Sequence, residues 1–164
     1  QTLIASTCKK LAKEDPNIHY AFCTTSLQSA PASPCAADLR ALGSISIRLL
    51  RDNVTNTRCY IRGSLKNKKL GGDSYTRECW TTCLDLYSDA VDAARLAAQN
   101  YNTKAYDEAN VELSAALTDA STCEDGFGEK PGVVSPLTKR NGDAVQLSAM
   151  ALSIIYFIHT NNNN

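Results

Sequence analysis

Residues 106–127 read YDEANVELSAALTDASTCEDGF. Apolar and large side chains recur at Tyr106, Ala109, Leu113, Ala116, Leu117, Ala120, Cys123 and Phe127. That is the i, i+3, i+4, i+7 spacing of one buried helix face. Asp107, Glu108, Glu112, Asp119 and Glu124 fall on the other face and are expected to meet water. The small residues Ser114, Ala115 and Ala116 let a neighbouring helix approach closely. Cys123 sits in the apolar stripe near the helix end, where it can be tied to another helix. Gly126 is expected to stop the helix, because glycine tolerates left-handed backbone. Nothing here is arranged for catalysis; the segment reads as a strut in a cross-linked helical bundle.

The flanking segments repeat the pattern. Trp80, Cys83, Leu84, Tyr87, Ala90, Val91, Ala94, Ala97, Ala98 and Tyr101 mark a helix from near Ser74 to about Tyr101. Asn102-Thr103 makes a short turn, and Thr103 is expected to cap the helix that follows. Upstream, Asp38 can cap a helix whose inner face is Leu39, Leu42, Ile45, Leu49 and Leu50. Residues 53–57, NVTNT, propagate a helix poorly, so a kink or solvent-facing turn is expected before Tyr60, Ile61 and Leu65 resume the pattern. Residues 66–73, KNKKLGGD, read as a solvated loop. Downstream, Ser135 can cap a last helix with Pro136 at its first position. Leu147, Met150, Ala151, Ile154, Ile155 and Ile158 form its buried face. Residues 161–164 are four asparagines and are expected to be disordered.

At the amino end, Ile4, Cys8, Leu11 and Ala12 outline a short amphipathic helix that Asp15-Pro16-Asn17 breaks. Ile18, Tyr20, Phe22, Cys23 and Leu27 supply a second apolar segment. Residues 28–37, QSAPASPCAA, read as a linker. The organisation expected is therefore all-α: a helical hairpin over 1–27, a linker over 28–37, and an up-down-up-down four-helix bundle over 38–160. No strand alternation of any length occurs.

Lys plus Arg equals Asp plus Glu at 17 each, and the net charge is zero. A nucleic-acid or polyanion binder usually shows a basic excess, so neither is expected as a partner. Seven cysteines in so short a chain indicate disulfides and an oxidising compartment. His19 and His159 are too few and too scattered for a metal site, and the cysteines lack zinc spacing, so no metal or cofactor is expected. Asn53-Val54-Thr55 is an N-glycosylation sequon, consistent with secretion. No signal peptide is present, and Gln1 is expected near a mature N-terminus after processing. The apolar run Ile154–Ile158 is far too short to span a bilayer, so no membrane association is expected.

Spacing also suggests cysteine partners. Cys8 and Cys23 flank the break in the hairpin, and a bridge between them would contribute roughly 3 kcal/mol by loop closure. Cys83 and Cys123 lie about five turns either side of residue 102, so antiparallel helices bring them level. That bridge closes a longer loop and is worth about 4 kcal/mol. Cys35 and Cys59 are separated by roughly 30 Å of straight helix, beyond the reach of a disulfide. Cys59 and Cys79 lie either side of the turn near Gly71, so a Cys59–Cys79 bridge is the expectation and Cys35 is left free. The alternative is that Cys59 and Cys79 are both buried thiols.

Active-site patterns are absent: no GxSxG, HExxH, P-loop or dinucleotide fingerprint occurs. Cys79 and Cys83 form CxxxC rather than a redox CxxC. No catalytic residue is assigned, and an enzyme is not expected. The stretches TCKKLAKEDPNIHYAFC (7–23), CLDLYSDA (83–90), LSAALTDASTCEDGF (113–127) and the last helix, Val134–Leu152, together resemble the plant invertase and pectin methylesterase inhibitor family, across nearly the whole chain.

The resemblance implies a four-helix bundle with a helical hairpin, and the Cys8–Cys23 and Cys83–Cys123 bridges. It implies a secreted inhibitor of the cell wall or apoplast that blocks acid invertase or pectin methylesterase by stoichiometric contact. Invertase inhibitors of that family can insert a Pro-Lys-Phe segment, near the start of the third bundle helix, into the enzyme's active site. The corresponding residues here are Thr103-Lys104-Ala105-Tyr106: the lysine and an aromatic ring are kept and the proline is not. Lys104 and Tyr106 are the candidate target-binding residues. A cation suits a glycosidase site built on paired carboxylates. Tyr106 is also in phase with the buried stripe. Three functions follow in order: invertase inhibitor, pectin methylesterase inhibitor using a broad helix face, and a non-inhibitory pollen or cell-wall protein of the same fold, recognised by IgE as an allergen.

Overall fold

The computed structural model describes residues 2–67, 70 and 73–162, and those residues contain helices and no strand. Two short helices come first, α1 (Leu3–Glu14) and α2 (Tyr20–Ser29). A 3-10 turn at Ser33–Cys35 follows. Four long helices complete the chain: α3 (Leu39–Lys66), α4 (Ser74–Asn102), α5 (Tyr106–Gly128) and α6 (Thr138–Asn162).

Each long helix packs on two others, in the closed ring α3–α4–α5–α6–α3. α3 is therefore diagonal to α5. Sequential neighbours joined by short connections run antiparallel, which gives the up-down-up-down bundle. The α1–α2 hairpin leans on α3 and α6. Tyr87, Tyr101, Phe127, Leu113 and Met150 are fully buried at the centre. Each aliphatic side chain removed from water in this way contributes roughly 1.5–3 kcal/mol. Gly43 of α3 leaves room for side chains of α4 and α6, because a Cβ there would lie 2.1 Å from the Tyr101 hydroxyl and 2.9 Å from Ile154 Cγ2.

Asp38 and Asp73 cap α3 and α4, accepting from the Ala41 and Thr76 amides at 2.9 Å each. Two bridges are present. Cys8–Cys23 closes the hairpin with Cα atoms 5.7 Å apart, and Cys83–Cys123 joins α4 to α5 at 5.0 Å.

Several expectations are corrected. α3 runs unbroken through residues 53–57, because Val54, Thr57 and Ile61 continue the buried phase of Leu50 and all four are fully buried. Tertiary packing outweighs the poor propensity of NVTNT. Gly126 does not end α5, which continues to Gly128; the Gly126 carbonyl accepts from the Tyr75 hydroxyl and the Cys79 thiol. Among the described residues the left-handed glycine is Gly132, in the following loop. Thr103 closes α4 rather than opening α5: its hydroxyl donates back to the Gln99 and Asn100 carbonyls. α5 starts after Ala105 without a side-chain cap, and Asp107 and Glu108 complement its positive end. Ser135 Oγ accepts from the Leu137 amide, and α6 begins at Thr138.

α6 also extends to Asn162, two residues into the tail expected to be disordered; residues 163–164 lie outside the described residues. The loop expected over 66–73 lies partly outside them as well. At 25 residues, α6 is long and apolar enough to cross a membrane by length and composition. Here it packs on α3, α5 and the hairpin, which buries residues from Asn141 to Phe157 on more than one face.

Candidate functional site at the α4–α5 turn

The end of α4 and the start of α5 meet in a three-residue turn, Thr103–Ala105. The Ala105 amide donates to the Asn100 carbonyl at 2.8 Å, and the Lys104 amide to Tyr101 at 3.1 Å. This is a Schellman closure with Lys104 at its left-handed position, φ 63°. Glycine usually occupies that position, since a side chain there costs about 1–2 kcal/mol. Lys104 is the only non-glycine residue with positive φ among the described residues, and it is exposed.

Beneath the turn, four helix ends build a platform. Tyr106 is half-buried, with its ring edge-on to Tyr101 at 5.5 Å and to His159 of α6 at 5.5 Å. Arg40, in the first turn of α3, donates to the Tyr106 hydroxyl and to the Asn102 carbonyl. Its guanidinium lies 4.9 Å from the Tyr101 ring centre, a cation–π contact. The Tyr101 hydroxyl donates to the Arg40 carbonyl at 2.7 Å. Burial pushes the Tyr101 phenol well above its usual range. The Asn100 side-chain amide donates to the Glu112 carboxylate at 2.8 Å and pins α4 to α5 just inside the turn.

Of the two residues singled out by sequence, Lys104 is presented to solvent and Tyr106 is packed as a support. Arg40 and His159 complete the platform. Neither was signalled by sequence, since their positions depend on the register of α3 and α6 against the turn.

A second polar cluster lies in a cleft of about 360 Å³ between the hairpin loop, α5 and α6, lined by His19, Glu124, Thr138 and Gln146 among others. Glu124 accepts from Asn141 Nδ2 at 2.7 Å, Ser135 Oγ at 2.9 Å and Thr138 Oγ1 at 2.5 Å. The buried Tyr87 hydroxyl donates to Asn141 Oδ1 at 2.6 Å. Both Glu124 oxygens are thus committed to neutral donors that tie α5 to α6. His19 is exposed, and its backbone amide donates to Gln146 Oε1. This arrangement is a structural clamp rather than an acid–base pair.

Asn53 is not in a solvent-facing turn. It is half-buried in mid-α3, and its Nδ2, the atom a glycan would occupy, donates to the Arg140 carbonyl of α6 at 3.3 Å. The kink or turn expected at this sequon is therefore absent, and the Asn53 side chain lies against α6. Nor do Cys59 and Cys79 pair: Cys59 is exposed on α3, whereas Cys79 is buried on α4 with its thiol on Gly126 of α5. Cys79 faces α5, whereas Cys59 faces solvent. Cys79 is thus a buried thiol, as in the alternative reading, and Cys59 is not. Cys35 is exposed and free.

Comparison with known proteins agrees with this architecture. The family model described as "Plant invertase/pectin methylesterase inhibitor" matches residues 2–154. A protein of Platanus acerifolia named "Putative invertase inhibitor" is 43% identical over 93% of this chain and 83% of its own length. "Pectinesterase inhibitor 12" of Arabidopsis thaliana is 36% identical over 86% of this chain and 79% of its own. Among solved structures, a mutant form of an Arabidopsis pectin methylesterase inhibitor superposes with a TM-score of 0.76 at 21% identity, covering 95% of this chain and 97% of that one. With the helices, the bridges and the family model in agreement, the chain belongs to the plant invertase/pectin methylesterase inhibitor family.

Proposed function

We propose that this protein inhibits plant acid invertase by stoichiometric contact, with Lys104 as the cation offered to the enzyme's active site. The carrying observation is the left-handed, exposed Lys104 at the tip of the α4–α5 turn. Strained backbone persists where surrounding structure enforces it, and such positions cluster at contact sites. Here the Schellman hydrogen bonds and the Arg40–Tyr101–Tyr106–His159 platform hold the turn. A rigid turn spends little ordering entropy on binding. A lysine is the complement to the paired carboxylates of a glycosidase. The Platanus relative named for invertase supports the same choice.

Pectin methylesterase is the second target, favoured by the relatives named for pectinesterase. Its cover would be a helix face rather than the turn. Two bridges support an oxidising compartment for the working protein, and the cell wall fits both targets.

The test is inhibition of a plant acid invertase and a plant pectin methylesterase side by side at acidic pH. Stoichiometric loss of invertase activity is expected, weakened at least about tenfold by Lys104→Ala, the scale of one desolvated ion pair at an interface. Loss of methylesterase activity alone moves the site onto a helix face. No effect on either enzyme rejects inhibition. It would leave a wall or pollen protein of this fold whose partner class would be antibody, IgE included.

A further inference from the structure

We propose that the outer face of α3 is a docking surface for a linear acidic polysaccharide, a chain of uronate carboxylates. The zero net charge conceals a separation. Arg48, Arg51, Arg58, Arg62 and Lys66 fall within about 80° of arc on α3, in a row about 27 Å long. Asp52 is the one carboxylate within the helix, and it lies outside that arc. α5, diagonal to α3, carries six carboxylates and no lysine or arginine. The bundle is thus basic along one corner and acidic along the opposite one.

The row is not neutralised internally. Among the described residues the ion pairs are Lys130–Asp73 and Lys139–Asp143, and neither involves α3. Arg48, Arg51, Arg62 and Lys66 are exposed, and the buried Arg58 Nε has no hydrogen-bond partner. The neighbouring edge of α4 extends the field. Ala98 and Asn102 share a shallow hollow with Arg48 and Arg51, and the exposed Arg95 lies on that same side of α4, one turn before Ala98. The hairpin leans on α3 and α6 but leaves Arg48, Arg51, Arg62 and Lys66 exposed.

A straight row of cations along one helix fits an extended chain. Guanidinium forks match carboxylates two bonds at a time. The arc offers no exposed large apolar side chain to enter a lipid surface. The two disulfides place the protein where nucleic acid is not the abundant polyanion. This surface is separate from the α4–α5 turn and does not depend on which enzyme is inhibited.

The probe is unesterified polygalacturonate, with the fully methyl-esterified polymer as the uncharged counterpart and a DNA oligonucleotide of matched charge as competitor. Binding to the unesterified polymer at low ionic strength, weakening steeply with added salt, is expected. The triple variant Arg48→Gln/Arg51→Gln/Arg62→Gln changes exposed side chains only. It should bind at least about tenfold more weakly, from three ion pairs of ordinary strength. It should also keep its circular dichroism and its inhibition of invertase, which the α4–α5 turn carries. A wild type that fails to bind, a triple variant that binds as wild type, equal binding to the esterified polymer, or tighter binding to DNA would each overturn the proposal. A wild type that binds the polymer but inhibits neither enzyme would count against the turn and leave this surface standing.

Discussion

Lys104 occupies the position at which helices most often end in glycine, and that substitution separates its two roles. Lys104→Gly removes a left-handed penalty of about 1–2 kcal/mol and adds glycine's extra unfolded-state entropy, about 0.5–1 kcal/mol. The variant is expected to be up to about 1.5 kcal/mol more stable, by urea midpoint, and still to lose invertase inhibition. A stability loss would mean that the lysine side chain itself holds the turn. Sequence marked this residue only through its family likeness. Its left-handed backbone was not legible, because lysine carries no preference for that region, and the closure became evident only from the Asn100 and Tyr101 hydrogen bonds. The turn expected at Asn53 was misread for a related reason. A sequon is a local pattern, and what draws the Asn53 side chain toward α6 is the carbonyl of Arg140, 87 residues further along.

At the scale of helices, α4 and α5 share a carboxyl pair. Asp119 of α5 is buried with Oδ2 unpartnered, and Asp89 of α4 stands within hydrogen-bonding reach. Burial first, then the Asp89 hydrogen bond and charge, push Asp119 up from 3.8 to about 7. The folded chain therefore holds a proton that the unfolded chain has released between those two values. Its stabilising effect is complete below the lower value and is lost as pH rises through the upper one. Asp119→Asn is expected to match the parent in acid and to be the more stable protein at neutral pH, by denaturant midpoints across that range. A parent-like slope in the variant would place the proton elsewhere. Sequence put Asp119 on the wet face of its helix, because periodicity on α5 alone does not show how far α4 overhangs it. The same limit explains Thr103, whose hydroxyl had two helices to choose between and turned back to α4. Long, regular apolar stripes carried the helices themselves, since four of them can be buried together only as a bundle.

For the molecule as a whole, the cross-links are the largest single contributions that can be isolated. Replacing Cys83 and Cys123 together by alanine opens a loop of 40 residues and should cost about 4 kcal/mol. Removing Cys8–Cys23, with a separation of 15, should cost about 3 kcal/mol. Paired chemical denaturation curves of the two variants measure both, and equal losses would argue against loop length as the source. The pairings were legible because antiparallel packing makes level positions predictable from the turn. The charge separation between α3 and α5 was not, because a sum over the chain discards where each charge sits.

The hairpin depends on α6 in one further way. Lys10 rests 3.9 Å from the Phe157 ring centre, and the His19 amide reaches Gln146, 127 residues further along the chain. During synthesis the first helices emerge while their platform is still unmade, whereas α4 and α5 are adjacent in sequence and can pair as soon as both are out. The hairpin is therefore among the last parts of this fold to settle. The ring of four helices closes only once α6 has been made, and until then the chain is a guest for chaperones.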